Sequence, residues 1–382
     1  GRHVEMYTSY LAKKNDDETN ALDTGIVNPA KISAERSAQI CGACHSQFVV
    51  HDSDQFLTQG LDFRPGEDIT KAGYFMQPSD EGESVASRFW ADGVSRSGGR
   101  EYMGMTDSKC YQGGELSCLN CHSMHKYEDR SDQLSPRMES NEACFQCHES
   151  LRDDLIEHTH HASDSSGSLC YNCHMPHTSY ALLKGIRDHS TSLPAVTGLA
   201  PDSRPNACNL CHLDKTLEWT AGILSDWRGE SDENASGTVK AELSSDEREI
   251  AASLLFLLRG DAGQRAIAAY SLGSDDARAA SGVQWMAVPL ARALADPYPA
   301  VRYNAFCALR KIPGFEDFDY DFEVPGAPAE LERRVLQRWR GQLPKDYVAP
   351  EHVLLDASLK PDTETIERLA DERDNRPIRI IE

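Results

Sequence analysis

The sequence predicts a mainly α protein in two unlike parts. A loop-rich module over residues 1–215 is followed by an α-helical repeat-type domain over 216–345 and a polar tail over 346–382. Three observations predict this. Ten of the twelve cysteines recur in one five-residue pattern confined to residues 41–212. That stretch is turn-rich, whereas beyond residue 215 Ala, Leu and Arg rise and apolar residues take a helical spacing. Hydrophobic residues make up only 40% of 382, so something other than side chains is expected to fill the first module.

The repeated pattern is Cys41-Gly-Ala-Cys44-His45, Cys118-Leu-Asn-Cys121-His122, Cys144-Phe-Gln-Cys147-His148, Cys170-Tyr-Asn-Cys173-His174 and Cys208-Asn-Leu-Cys211-His212. C-x-x-C-H is the attachment signal of c-type haem. Two intervening residues let both thiols add to the vinyl groups of one porphyrin edge, and the next residue brings its imidazole to the iron. From composition, about 0.01 copies are expected by chance. Zinc knuckles need a second ligand pair and no His at the fifth place. Iron–sulfur sites would place a third Cys nearby, and thioredoxin-like pairs do not recur in tandem. Structural disulfides would not demand the His. Five covalently attached haem c groups are therefore expected, with His45, His122, His148, His174 and His212 as proximal ligands. Of the two remaining cysteines, Cys307 is expected to be a buried small hydrophobe and Cys110 is assigned no chemistry.

Nine histidines remain, enough for bis-His ligation throughout: His3, His51, His125, His158, His160, His161, His177, His189 and His352. Met103, Met105, Met124 and Met175 rank below them. His125 and His177 each follow a proximal His by three residues. That spacing cannot reach the far face of the same iron but can serve a neighbouring haem. His161 precedes the fourth motif by nine residues, and His189 follows it. The expected distal set is His125, His161, His177 and His189, then His51 and His158. His160 ranks lower, and His352 is not expected to ligate.

Taken in order, residues 1–40 are polar, with acidic residues at Asp16–Glu18. Successive motifs are separated by 77, 26, 26 and 38 residues. The long first gap holds eight glycines between Gly60 and Gly104 and reads as irregular surface. The three closer units read as a short helix and a loop each. Helices are then predicted at Thr216–Trp227, Ser245–Leu258, Ala262–Leu272, Gly282–Leu294, Pro299–Ile312, Ala329–Arg340 and Thr363–Arg373. The segment Asp296-Pro-Tyr-Pro-Ala-Val-Arg302 resembles the turn and second-unit start of a HEAT-type repeat, in which Asp caps, Pro fixes the entry and Val packs inward. An ordinary helical bundle is the competing reading. The final RPIRIIE is read as a docking strand or a loose tail.

With these motifs in place, the chain resembles a family of exported multihaem c-type cytochromes with a C-terminal helical-repeat (HEAT- or TPR-like) module. The segments IVNPAKISAERSAQICGACH, GGELSCLNCHSMH, HTHHASDSSGSLCYNCHMPHTSYALLKGIRDHS and RPNACNLCHLDKTLEWTA carry the likeness, over roughly half the chain. It implies a loop-rich multihaem cytochrome c module followed by a HEAT-like domain, bis-His ligation and electron transfer, either alone or as a subunit of a redox complex or cytochrome filament. The opening GRHVE resembles the end of a family segment of the form C-x-x-C-H-G-P-G followed by His and Val. It implies that His3 is the distal ligand of a haem attached outside this sequence or on a neighbouring subunit. The alternative is an oxidoreductase acting on nitrite or hydroxylamine at one five-coordinate haem. No C-x-x-C-K occurs, and the histidine surplus favours the carrier. Any open iron is expected at Cys41–His45.

Haem attachment to C-x-x-C-H happens outside the cytoplasmic membrane, so a periplasmic or extracellular location is expected. The chain opens on Gly and shows no export signal, as a processed form would. The longest apolar run, Leu254–Leu258, is far short of the ~18 residues of a membrane helix. A formal net charge of −22 argues against nucleic acid or an anionic membrane as partner. The acidic surface is read first as a means of solubility, then as a docking face for a basic redox partner. Redox partner proteins, among them other multihaem cytochromes or further copies of the chain, are the expected partners.

Overall fold

The computed structural model describes residues 4, 5, 8, 26–80, 87–114, 116–200, 202–228, 242–324, 327–376 and 378. His3 and the acidic run at Asp16–Glu18 lie outside them. The protein is mainly helical, with many loops. In the first part the elements are short: α1 (Ala34–Gly42), β1 (Phe48–Val50), α2 (Ser53–Gln59), β2 (Gly73–Phe75), α3 (Glu101–Asp107), α4 (Lys109–Gln112), α5 (Glu142–Phe145), α6 (Leu155–Thr159), α7 (Cys170–His174), β3 (Ser179–Ala181), β4 (Lys184–Ile186) and α8 (Ala207–Cys211). Two antiparallel ribbons, β1–β2 and β3–β4, are its only named sheets among the described residues.

The second part contains α9 (Leu217–Arg228), α10 (Ser245–Glu249), α11 (Ala252–Leu258), α12 (Ala262–Leu272), α13 (Asp275–Ser281), α14 (Ala287–Ala293), α15 (Pro299–Arg310), α16 (Pro328–Arg340) and α17 (Thr363–Asp371). α12 lies at the centre, against α11 on one side and α15 on the other, and α14 packs on α11, α15 and α16. Its start is sharp because Asp261 and Gln264 form a capping box. All seven residues of α11 are buried. Each wholly buried Leu or Phe there contributes roughly 1.5–3 kcal/mol. α16 buries Leu331, Val335 and Trp339, spaced by four, and turns its charges outward.

Two predicted helices differ from those observed. The stretch over Ser245–Leu258 divides at Ile250, which is extended at φ −114° and ends α10. The helix predicted over Gly282–Leu294 starts late: Gly282, at φ +70°, a left-handed conformation that suits glycine, instead ends the preceding α13, which was not among the predicted helices. The chain resumes as α14. Apolar periodicity cannot report the divide at Ile250, because α10 carries no apolar residue.

The core does not stop at residue 215. Trp90, Tyr180, Val196 and Leu213 belong to the same apolar cluster as the helices. Arg96, from the first part, pairs with Asp261 at the start of α12 and with Asp202 at 2.7 Å, and stacks over the Trp90 ring at 4.1 Å. The last helix also joins this body. α17 packs on α11, burying Ile366 and Leu369, and Arg368 bonds Asp246 of α10 at 2.8 Å.

Candidate haem-binding sites

Each C-x-x-C-H segment forms a single helical turn. The amides of His45, His122, His148 and His212 bond the carbonyl of the first cysteine of their motif at 2.7–2.9 Å, and the fourth motif is itself the helix α7. One turn of this kind places residues i, i+3 and i+4 on one face, so both thiols and the imidazole share a side. All twelve cysteines are free, so the ten motif thiols are available for thioether bonds.

The turns lie beside one another in sequence order. α1, carrying Cys41, packs on the turn at Cys118–Asn120. Gln146 Nε2 in the third motif donates to the Asn120 carbonyl in the second at 3.3 Å. Asn141, just ahead of the third motif, accepts from the Cys170 amide and donates to the Ser168 carbonyl, both at 2.8 Å. α7 in turn packs on α8 of the fifth motif.

Three motif histidines face a second imidazole. The ring centroids of His122 and His189 are 6.4 Å apart, those of His174 and His158 6.1 Å, and those of His212 and His161 6.0 Å, with interplanar angles of 24°, 14° and 29°. A metal with two trans imidazole nitrogens at about 2 Å holds the centroids about 6.3 Å apart. Four of the six rings have Nδ1 tied to a backbone carbonyl. His122 bonds Asp132, His174 bonds Ser192, His161 bonds Thr159 and His189 bonds Arg187, at 2.5–3.1 Å. This fixes the tautomer and leaves Nε2 for a metal. Burial holds the pKa of His174, His189 and His212 below the ordinary imidazole value, which favours the neutral, ligating form.

The donor set fits haem. Among the described residues, no cluster of three or more His, Cys, Asp or Glu is arranged to hold a metal directly. Imidazoles that come in twos, as at His122, His174 and His212, form a complete protein contribution when a macrocycle supplies the remaining ligands.

The other candidates stand elsewhere. His177, half-buried, packs against Tyr270 of α12 at 5.8 Å between ring centroids, and desolvation, with Arg187 and Lys184 nearby, pushes its pKa down to about 3. His51 lies beside Tyr74, and His125 is exposed. His160 stacks on Trp227 at 4.4 Å, and His352 Nδ1 bonds the Glu249 carbonyl. The Met103 sulfur accepts from the Gln47 amide, Met105 meets the Cys118 thiol, and Met124 is exposed.

One site residue was not foreseen. His45 Nδ1 donates to Glu101 Oε2 at 2.8 Å. Burial alone would raise the Glu101 pKa, but the bonds from His45 and the Gly99 amide outweigh it and hold it at about 2. Glu101 lies 56 residues from its partner, and no local pattern marks it.

The family model for a doubled CXXCH motif matches residues 111–153, which contain the second and third motifs. No curated protein and no solved structure matches the chain. The paired motif indicates covalently bound haem c and supports a multihaem c-type cytochrome that takes part in electron transfer. Such cytochromes are typically exported, and among the described residues no helix is long and apolar enough to cross a membrane.

Proposed function

We propose that the chain holds five haem c groups, one on each C-x-x-C-H turn, and carries electrons along them in sequence order. Bound haem supplies one-electron Fe(III)/Fe(II) chemistry. The observation that carries this reading is the set of three opposed imidazole pairs, each with one motif histidine. On this reading His189 is the distal ligand at the His122 site, His158 at the His174 site and His161 at the His212 site. Three motif histidines closed on their far side by protein nitrogen favour a carrier, since substrate chemistry needs an open iron face. The side-by-side turns support a relay, because each motif touches the next.

The helical part is read as a short HEAT-like stack. Its supports are Asp296 accepting from the Tyr298 amide, Pro299 at the first position of α15, and Val301 wholly buried. The protein is placed outside the cytoplasmic membrane, with a redox protein as partner. A pyridine haemochrome assay with metal analysis tests the reading. Five haems per chain and no zinc are expected. Fewer than five haems, or stoichiometric zinc, would overturn it.

A further inference from the structure

We propose that Glu101 is a positioning residue for the first motif: its carboxylate fixes the His45 imidazole through Nδ1 and lends it anionic character, making the haem held there the lowest in potential of the set. The inference rests on the reading that Cys41, Cys44 and His45 hold a haem.

The contact is built on both sides. Glu101 opens α3, and its other oxygen, Oε1, accepts from the Gly99 amide at 2.8 Å, so the carboxylate cannot swing away freely. The Tyr102 amide bonds the His45 carbonyl at 3.0 Å, which ties the start of α3 to the first motif a second time. The Glu101 side chain is 22% exposed and the His45 ring 59%, so in the protein part alone water reaches the pair from the histidine side.

The contrast with the other sites gives the inference its content. His122, His174, His161 and His189 each use Nδ1 on a neutral backbone carbonyl. His45 uses it on a carboxylate. A charged acceptor draws the Nδ1 proton more strongly than a carbonyl does, which makes Nε2 a stronger donor to a metal. Added electron density stabilises the ferric state and lowers the potential. The first motif is also one end of the file of turns, so the relay would begin or finish at its most reducing member.

The test uses the purified holoprotein and potentiometric titration resolved into its separate haem components, with EPR of the oxidised state. Glu101→Gln keeps the size and an acceptor but removes the charge, whereas Glu101→Asp keeps the charge. Glu35→Gln is the control, because Glu35 also lies on an element of the first site but bonds Gln39 rather than a histidine. Glu101→Gln is expected to move the lowest component to higher potential, to change the EPR g-values of one haem and to leave the other components in place. Glu101→Asp is expected to retain much of the wild-type potential, and Glu35→Gln to shift nothing. Unmoved components, or a uniform shift of all of them, with every haem present would overturn the role of Glu101 alone. Peptide mass spectrometry showing no haem on Cys41 and Cys44 of the wild type would instead remove the reading beneath it.

Discussion

His160 and His161 are adjacent in sequence, yet the geometry assigns them opposite consequences. The His161 ring faces His212 across 6.0 Å, whereas the His160 ring stacks on Trp227 at 4.4 Å. On the ligation proposed above, His161→Ala removes one axial nitrogen from one of five haems. About one-fifth of the oxidised haem should then pass from low to high spin, with a charge-transfer band at roughly 620–640 nm and a new site for cyanide. Gly167→Ala should act in the same direction through sterics alone, because a Cβ there would lie 2.2 Å from the His161 ring. His160→Asn is the matched control. His160 sits at φ +54°, which Asn tolerates, so the change removes the ring without straining the chain. It should cost about 1 kcal/mol in lost aromatic contact and leave the spectrum unchanged. The assay is electronic absorption and EPR of the oxidised protein, with haem content measured on each variant. A high-spin signal from His160→Asn, or its absence from a fully loaded His161→Ala protein, would refute the assignment.

Two further predictions concern the body that holds the sites. Arg96→Met should destabilise the protein by about 3 kcal/mol, because it strips a buried carboxylate of its cation while keeping side-chain volume. Asp261, 1% exposed, keeps only its capping bonds within α12. Adding Asp261→Asn should recover part of the loss in urea unfolding followed by circular dichroism, and a cost below about 1 kcal/mol would contradict the ion-pair account. Asp246 sets a pH dependence. Its carboxyl pKa is held below the ordinary value chiefly by the Arg368 hydrogen bond, with Arg259 adding to the effect. A depressed folded pKa gives stability that is complete above the unfolded carboxylate range and is lost as pH falls through the native value. Asp246→Asn should therefore cost about 1 kcal/mol at neutral pH. The difference from wild type should vanish under strongly acidic conditions, as unfolding measured across pH would show.

By itself, the sequence marked the five C-x-x-C-H turns and most helices of the second part. Both are local. Two thiols and an imidazole within five residues need only one helical turn to share a face, and the spacing of Leu331, Val335 and Trp339 records a buried stripe wherever the helix packs. Histidine spacing alone ranked His177 with His161 and His189, but His177 turned against Tyr270 while His158, ranked lower, came to face His174. A facing imidazole arrives from another segment, so its identity depends on how loops fold across one another. Glu101 is the extreme case: nothing near it in the chain announces a partner 56 residues away. The docking of α17 is likewise a tertiary outcome. A periodic apolar pattern says which face is buried but not against what. That choice belongs to long-range packing, which also joined Trp90 and Arg96 of the first part to the core of the second.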